Sequence, residues 1–261
     1  MKKIIAMLLV LSMFAAFAAC AESEDTSSVA DTSVEASTEA STEASTEAST
    51  EASTEEVKVM TYAEYLAAEV GATVTVETYV QANQSWWNDS IVLYCQSADG
   101  GLFVYNLACS KENAAKLTKG TKIRVTGSKA EYDGEVEIMD ATFEFVEGGD
   151  TYVAEAKDLT DKLGTDDLIN YMNQLVTFKG LMFKSLEYKN GEPGDDIYVT
   201  LTNGEQDFSF CVEVYLTGTE SEVYKTVGEL QAGDFVEVSG FLYWYKGANP
   251  HITEIKVLDE K

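Results

Sequence analysis

The sequence predicts a mainly β protein in which two related β-domains follow one another along the chain. The first observation is a spaced pattern that occurs twice, 113 residues apart, with seven positions in register. The copies are Leu117, Gly120, Ile123, Val125, Gly127, Tyr132 and Gly134, and then Leu230, Gly233, Val236, Val238, Gly240, Tyr245 and Gly247. The second observation is that each copy describes a turn, an alternating strand, a bend at the second Gly and a Tyr-x-Gly turn.

The first domain is predicted over residues 57–148 and starts with a short helix. Thr61 and Glu64 have the spacing of a capping box, in which each side chain bonds the other residue's backbone N–H. The remaining elements are strand one at 74–80, a hairpin at 91–95 and 102–107, a helix at 110–117, strand four in the repeated pattern, and strand five at 135–146 with a bend near Asp140.

The second domain is predicted over residues 165–261 and repeats this order. Between the two domains, residues 149–164 form a connector in which we expect an edge strand. The predicted elements are a helix opening at 165–168, strand one at 175–183, a hairpin at 197–201 and 208–216, a helix capped by Thr219 and Glu222, strand four from Phe235, and strand five at 251–258.

Five strands with a helix between the third and fourth resemble the oligonucleotide/oligosaccharide-binding (OB) fold, a small Greek-key barrel. The resemblance covers nearly all of residues 57–261 and rests on strand order and on the Leu-x-x-Gly-x-x-Val-x-Val-x-Gly phrase of strand four. It implies two tandem five-stranded OB-like barrels, each with short helices. A different small barrel or an open sandwich is the alternative.

The N-terminus predicts secretion. A basic start at Lys2 and Lys3 precedes an apolar run and small residues, which is typical of a signal peptide over residues 1–19. The segment Phe17-Ala18-Ala19-Cys20 resembles the lipobox of bacterial lipoproteins, and the whole chain resembles surface lipoproteins of Gram-positive bacteria. The resemblance implies that Cys20 carries the lipid (a palmitate-type modification) at the outer face of the cell membrane. An ordinary signal with an incidental Cys20 is the alternative.

Residues 20–56 are predicted to be a disordered stalk. Glu-Ala-Ser-Thr is repeated five times between Glu35 and Thr54, and the segment has no aromatic residue. Such a chain cannot bury enough apolar surface to offset its ordering entropy. Its alanine and glutamate favour transient helix, which Ser and Thr oppose.

Charge argues against nucleic acid as a partner. From Val57 onward the chain has 16 basic and 34 acidic residues, a difference of −18, and Arg124 is the only arginine. Nucleic-acid binding normally requires a basic surface that displaces counterions from phosphates. We therefore expect contact with the membrane through the lipid only, no nucleic acid, and a monomer that binds an extracellular glycan or a surface protein.

The cysteine count predicts buried thiols rather than disulfides or a metal site. Cys95, Cys109 and Cys211 are an odd number, and the predicted hairpin places Cys109 opposite about Ser90, far from Cys95. No Cys/His spacing suggests a metal, and we expect no cofactor. The acidic loop 190–196 suggests weak calcium binding or, as the preferred interpretation, a solvated turn.

Candidate ligand-binding residues follow from the OB resemblance. It implies binding on the face of strands two and three, flanked by the loops that join strands one to two and four to five. Aromatic rings there could stack on sugars or bases, although some of them must be core residues. The candidates are Trp86, Trp87, Tyr132, Tyr188, Tyr243, Trp244, Tyr245 and His251.

The function predicted is binding without catalysis. His251 is the only histidine, and no phosphate loop, nucleophile elbow or zinc signature occurs, so we expect no catalytic residues. The leading hypothesis is a lipid-anchored extracellular protein that binds a glycan or another neutral extracellular polymer. A scaffold role in a surface complex is one alternative, and single-stranded nucleic-acid binding, which the fold suggests and the charge opposes, is the other.

Overall fold

The computed structural model describes residues 58–259, which lie within one unit of the chain. The predicted signal peptide, the lipid-bearing Cys20 and the stalk lie outside the described residues. Among the residues described, no helix has the length and apolar character needed to cross a membrane.

The first half forms a closed five-stranded barrel, as the sequence predicts. The strands follow one another around the barrel in the order β1-β2-β3-β5-β4. The elements are α1 (Tyr62–Ala67), β1 (Thr73–Asn83), β2 (Ser90–Gln96), β3 (Gly101–Ala108), α2 (Lys111–Ala114), β4 (Lys122–Tyr132) and β5 (Glu135–Phe145).

Alternation of side chains explains the core of this barrel. On β2, Ile91, Leu93 and Cys95 point inward and are buried among apolar residues. Helix α1 begins at the predicted capping box, because Thr61 Oγ1 accepts the N–H of Glu64 and the Glu64 carboxylate accepts the N–H of Thr61. This helix places Tyr65 in the same core.

The second half forms a six-stranded sheet in the order β10-β11-β9-β8-β7-β6. Strand β10 also pairs with β7, so β7 to β11 form a ring and β6 lies outside it at the edge. The elements are β6 (Lys157–Asp158), two 3₁₀ turns (Thr160–Lys162 and Asp166–Tyr171), β7 (Leu175–Tyr188), β8 (Ile197–Thr202), β9 (Asp207–Val212), α3 (Val214–Thr217), α4 (Glu222–Glu229), β10 (Phe235–Phe241) and β11 (His251–Leu258).

Three boundaries in the second half differ from the prediction. Strand β9 ends at Val212 rather than at 216, because α3 follows directly. Helix α4 is capped by Ser221, whose hydroxyl accepts the N–H of Tyr224, and not by Thr219. Strand β7 continues to Tyr188, five residues past the predicted end, so the polar loop before β8 is correspondingly shorter.

The middle glycine of the repeat has the same role in both halves. Gly127 in β4 and Gly240 in β10 each stand at a β-bulge opposite the following strand. A Cβ on Gly127 would lie 2.7 Å from Met139 O, and one on Gly240 would lie 2.0 Å from His251 O. The repeat therefore preserves a close approach of two backbones where the fourth strand bends.

The three thiols within residues 58–259 are free and buried, as the sequence predicts. Ser90 pairs with Ala108 in the β2–β3 hairpin, and the N–H of Cys109 donates to Asp89 O, which keeps Cys109 at the opposite end of β2 from Cys95.

Candidate functional site

The outer face of β2 and β3 in the first barrel is covered by the second half of the chain. Tyr94 and Phe103 point outward from these strands, yet each is almost fully buried. The Tyr94 ring stacks on Phe241 at 4.7 Å between centroids, and the Phe103 ring meets Tyr243 edge-on at 5.2 Å. The face that the OB resemblance assigns to ligand is therefore an internal contact of this protein.

Polar contacts also hold the second half of the chain against the outer face of β2 and β3. The Tyr94 hydroxyl lies 2.6 Å from His251 Nδ1, and the His251 ring stacks on Tyr243 at 4.3 Å. Burial lowers the pKa of His251 to about 4, so the imidazole is neutral at pH 7. The Tyr94 hydroxyl and His251 Nδ1 share this hydrogen bond, and His251 serves to join the two halves rather than to face a ligand.

The two repeated Tyr-x-Gly turns meet each other. The Tyr132 and Tyr245 rings, equivalent positions in the repeat, stack at 6.1 Å and 27°. The N–H of Lys246 donates to Asp133 O at 2.7 Å. Both tyrosines stay accessible, with 56% and 41% of their surface exposed, so the turns present an aromatic pair to solvent beside the junction of the two halves.

A cavity of about 440 Å³ opens at this junction, which we call the junction cavity. Its aromatic walls are Tyr62 and Tyr65 from α1 and the half-buried Trp244 from the second turn. Gly134 allows this packing, since a Cβ there would lie 2.8 Å from Trp244 Cδ1. The remaining lining residues are Leu66, Gly101, Lys129, Glu131, Val136, Ile169, Asn170, Met172 and Asn173.

Several buried polar atoms near the junction cavity have no partner among residues 58–259. Tyr65 Oη and Asn173 Oδ1 belong to lining residues, and neither has a hydrogen-bond partner in this part of the chain. Glu135, fully buried next to the cavity wall, accepts the N–H of Trp244 with Oε2 at 2.8 Å, whereas its Oε1 is unpartnered there. Because buried polar groups in folded proteins nearly always have a partner, these atoms are positions at which a ligand or a water molecule could bind.

The electrostatics of the junction favour neutral carboxyls. Burial raises the pKa of Glu135 to about 8, against the lowering effect of the Asn173 amide and the Trp244 N–H, and burial also raises the pKa of Glu137. The nearby ammonium of Lys129 donates instead to the carbonyls of Tyr65, Leu66 and Ala68 at 2.8–3.0 Å.

The sequence-predicted binding residues are divided among several environments. Tyr132, Trp244 and Tyr245 lie at the junction cavity or beside it, while Tyr243 and His251 lie within the covered face. Tyr188 packs against the core of the second half and the Tyr224 ring. The candidates therefore do not line one groove.

The two adjacent tryptophans have different roles. Trp86 is half-buried and donates from Nε1 to Cys109 O at 2.7 Å, which holds the loop between β1 and β2. Trp87 has 79% of its surface exposed. One ring is therefore structural, and the other is a solvent-facing residue of that loop.

Two of the three carboxylates in the acidic loop before β8, those of Asp195 and Asp196, are used in internal contacts. Asp196 contacts Lys189 Nζ at 2.9 Å and accepts the N–H of Val214 at 2.9 Å. Asp195 accepts the N–H of Asp196 and the Asn190 amide. Within residues 58–259, no cluster of three or more His, Cys, Asp or Glu side chains is suited to hold a metal ion.

Cys211 and His251 pair across neighbouring strands, which raises the question of nucleophilic chemistry. Burial raises the pKa of the Cys211 thiol well above its ordinary value, and the imidazole is neutral with Nδ1 engaged by Tyr94. A buried neutral thiol is a poor nucleophile, so this pair does not supply the chemistry of a cysteine enzyme.

The α1 side of the junction cavity has no clear signal in the sequence. The pattern around Tyr62 and Tyr65 indicates only the apolar side of a helix, and Asn170 and Asn173 lie in a segment without a recognisable motif. Asn173 has a φ of +65°, and its N–H donates to Leu242 O. A buried amide in the left-handed region depends on tertiary packing, so no sequence signal marks it.

Comparisons with known proteins give remote similarity only. A scan against protein-family models finds no match, and a search of curated proteins finds none either. Similar solved structures include a murine DNA-binding protein bound with double-stranded DNA, at 10% identity and a TM-score of 0.35, covering 70% of this chain and 95% of that one.

Two further structures resemble smaller parts of the chain. One is an OBody bound to hen egg-white lysozyme, at 25% identity and a TM-score of 0.28, with 33% of this chain and 81% of that one covered. The other is asparaginyl-tRNA synthetase from Pyrococcus horikoshii, at 16% identity and a TM-score of 0.27, with 34% of this chain and only 20% of the synthetase covered. At these scores the likeness supports no functional argument.

Proposed function

We propose that this protein is a non-enzymatic glycan-binding protein, made of two tandem OB-like barrels that hold their ligand at the junction cavity. A lipid on Cys20 would anchor it to the outer face of a bacterial cell membrane, with the stalk as a spacer. One observation carries the proposal: an accessible aromatic cavity at the junction contains polar atoms that are unpartnered within residues 58–259, and it adjoins the exposed Tyr132–Tyr245 pair.

The composition of this site suits a sugar. Sugar rings present an apolar face to aromatic side chains and hydroxyl groups to polar side chains. Trp244 and Tyr62 supply aromatic surface, and Asn170 and Asn173 supply amides. A volume of about 440 Å³ is within the range of small-ligand pockets, and the open aromatic pair beside it offers a second contact for a longer chain.

Charge supports a neutral polymer over a nucleic acid. The folded part has a difference of −18 between basic and acidic residues, which repels phosphates. The β2–β3 face, where the OB resemblance implies binding of an extended strand, is filled in the first barrel by Phe241 and Tyr243.

The test is a fluorescence titration with neutral oligosaccharides. We expect the emission of Trp244 to shift on binding, and Tyr132→Ala and Tyr245→Ala each to weaken binding about tenfold, or ~1.4 kcal/mol. Trp87→Ala is the control, because it removes an exposed ring outside the site and should leave affinity unchanged.

Three results would contradict the proposal. The first is that no oligosaccharide changes the fluorescence. The second is that Trp87→Ala weakens binding as much as the Tyr132 and Tyr245 variants do. The third is a response to single-stranded DNA that falls steeply with salt, which would indicate nucleic-acid binding instead. Thermal melting of each variant shows whether an altered affinity reflects a disturbed fold.

A further inference from the structure

Among the described residues, the junction cavity has one unpartnered amide oxygen that accepts, one unpartnered hydroxyl that can accept or donate, and no free cation. Tyr65 Oη and Asn173 Oδ1 are buried and unpartnered within residues 58–259, and Glu131 stands exposed in the cavity lining. Of the described residues that line the cavity, Lys129 is the only cation. Its three N–H groups are already taken by the carbonyls of Tyr65, Leu66 and Ala68.

This arrangement makes entry of an anion costly. A carboxylate or phosphate needs donors, preferably from Arg or Lys, to replace its hydration. Lys129 could bind an anion only by leaving the carbonyls at the end of α1, which would then be unpartnered. The exposed Glu131 carboxylate in the cavity lining adds to the cost, because it repels a second negative charge.

The same arrangement suits a ligand edge made of donors. A sugar hydroxyl or ammonium group can donate to Asn173 Oδ1 and Tyr65 Oη, which thereby gain partners that residues 58–259 do not provide. An ammonium group would in addition be attracted by the Glu131 carboxylate at the cavity.

Resting on the glycan-binding function proposed above, we infer that the junction cavity selects sugars whose inserted edge carries free hydroxyl or amino groups and rejects anionic glycans. Tyr65 and Asn173 are the residues that contact the inserted edge. Glu131 determines the charge preference, and Lys129 is a structural cation that is not available to the ligand.

The experiment uses three oligosaccharides that share one β-1,4-linked backbone. They are a cello-oligosaccharide with hydroxyls, a chitosan oligosaccharide with free amines, and a C6-oxidised cello-oligosaccharide with carboxylates. Calorimetric titration of the protein at about 150 mM salt, where charges beyond ~8 Å are screened, should show the amine form binding at least as tightly as the neutral form. The carboxylate form should bind at least tenfold more weakly than the neutral form.

Two variants test the assigned residues. Tyr65→Phe deletes only an unpartnered hydroxyl, so the melting temperature should stay the same or rise, while affinity for the neutral form falls at least fivefold. Glu131→Lys should improve binding of the carboxylate form at least threefold and weaken binding of the amine form. Glu205→Lys in the turn between β8 and β9 is its control, because it makes the same charge change at an exposed position outside the cavity.

The outcomes separate this inference from the proposed function. Equal affinity for the carboxylate and neutral forms, or no effect of Tyr65→Phe, would overturn the inference and leave glycan binding intact. Failure of all three oligosaccharides to bind would remove both.

Discussion

At the scale of the residue, Glu135 shows how a buried carboxyl can join two halves of a protein without a cation. Its Oε2 accepts the N–H of Trp244 from the other half. Oε1 has no partner within residues 58–259, and burial raises the pKa of this carboxyl to about 8. The carboxyl therefore keeps its proton at neutral pH and can donate as well as accept.

The Glu135→Gln change tests this assignment. The folded pKa of Glu135, about 8, lies above the ordinary value of 4.5, so its favourable contribution to the free energy of unfolding is complete below pH 4.5. This contribution is lost as the pH rises through 8. Glutamine keeps the acceptor for Trp244, supplies a permanent donor and does not titrate. We expect the stability of the variant relative to the unchanged protein to grow between pH 4.5 and 8, by about 4 kcal/mol at most.

The measurement is urea unfolding at several pH values. Glu213 also titrates with a raised pKa, of about 7, owing to burial, so only the difference between the two proteins reports on Glu135. A difference that does not change with pH would show that Glu135 is ionised in the folded protein.

The titration of His251 should change the free energy of unfolding with pH in the opposite direction, at acid pH. The folded pKa of His251, about 4, lies below the ordinary 6.5, so its contribution to the free energy of unfolding is present above pH 6.5 and is lost as the pH falls through 4. His251→Gln keeps a side-chain amide that can hydrogen-bond the Tyr94 hydroxyl, and it removes the titration. Between pH 6.5 and 4, we expect the free energy of unfolding to fall by about 3 kcal/mol less in this variant than in the unchanged protein. Parallel stability curves over that interval would argue against a neutral buried imidazole.

At the scale of the element, two residues are candidates for the N-cap of α4. They are Thr219 and Ser221, which lie two residues apart in the sequence. Ser221 Oγ accepts the Tyr224 N–H at 3.2 Å. Ser221→Ala should cost about 1 kcal/mol of unfolding free energy, and Thr219→Ala, the control, should be close to neutral. Chemical denaturation of the two variants measures both. A larger cost at Thr219 would restore the capping box that the spacing suggests.

The elements also show what local sequence can and cannot predict. Strand existence, strand order and the capping box at Thr61 follow from alternation, glycine positions and residue spacing, which are local properties. The end of β9 does not, because Val214–Thr217 has the composition of a strand and is turned into α3 by its surroundings. The Val214 N–H donates to Asp196, a residue 18 positions earlier, and such a contact has no local signature.

At the scale of the whole molecule, the candidate site depends on how the two halves meet. The sequence predicts the Tyr132 and Tyr245 turns and Trp244 as ligand contacts, and they lie at the junction. It does not predict the covered β2–β3 face, because Tyr94 and Phe103 have the same alternation whether a ligand or a neighbouring domain covers them. Apolar pattern predicts that a face is buried, and only tertiary structure shows by what.

The covered face predicts that the two halves unfold as one unit. Tyr94, Phe103 and Phe241 form a buried cluster shared by both halves, and burying aromatic side chains is worth several kcal/mol. Differential scanning calorimetry of the unchanged protein should therefore give one transition with equal calorimetric and van't Hoff enthalpies. Phe103→Ala should remove about 3 kcal/mol of the stabilisation that comes from this shared cluster, and the calorimetric curve should then show two transitions.

A matched control distinguishes loss of coupling from loss of stability. Phe178 is equally buried, but it lies in the core of the second half and packs against Phe210. Phe178→Ala should lower the melting temperature and keep a single transition, because the shared cluster is intact. Two transitions in the unchanged protein would mean that the halves fold independently, and the junction cavity would then lack the rigid walls that a selective sugar site requires.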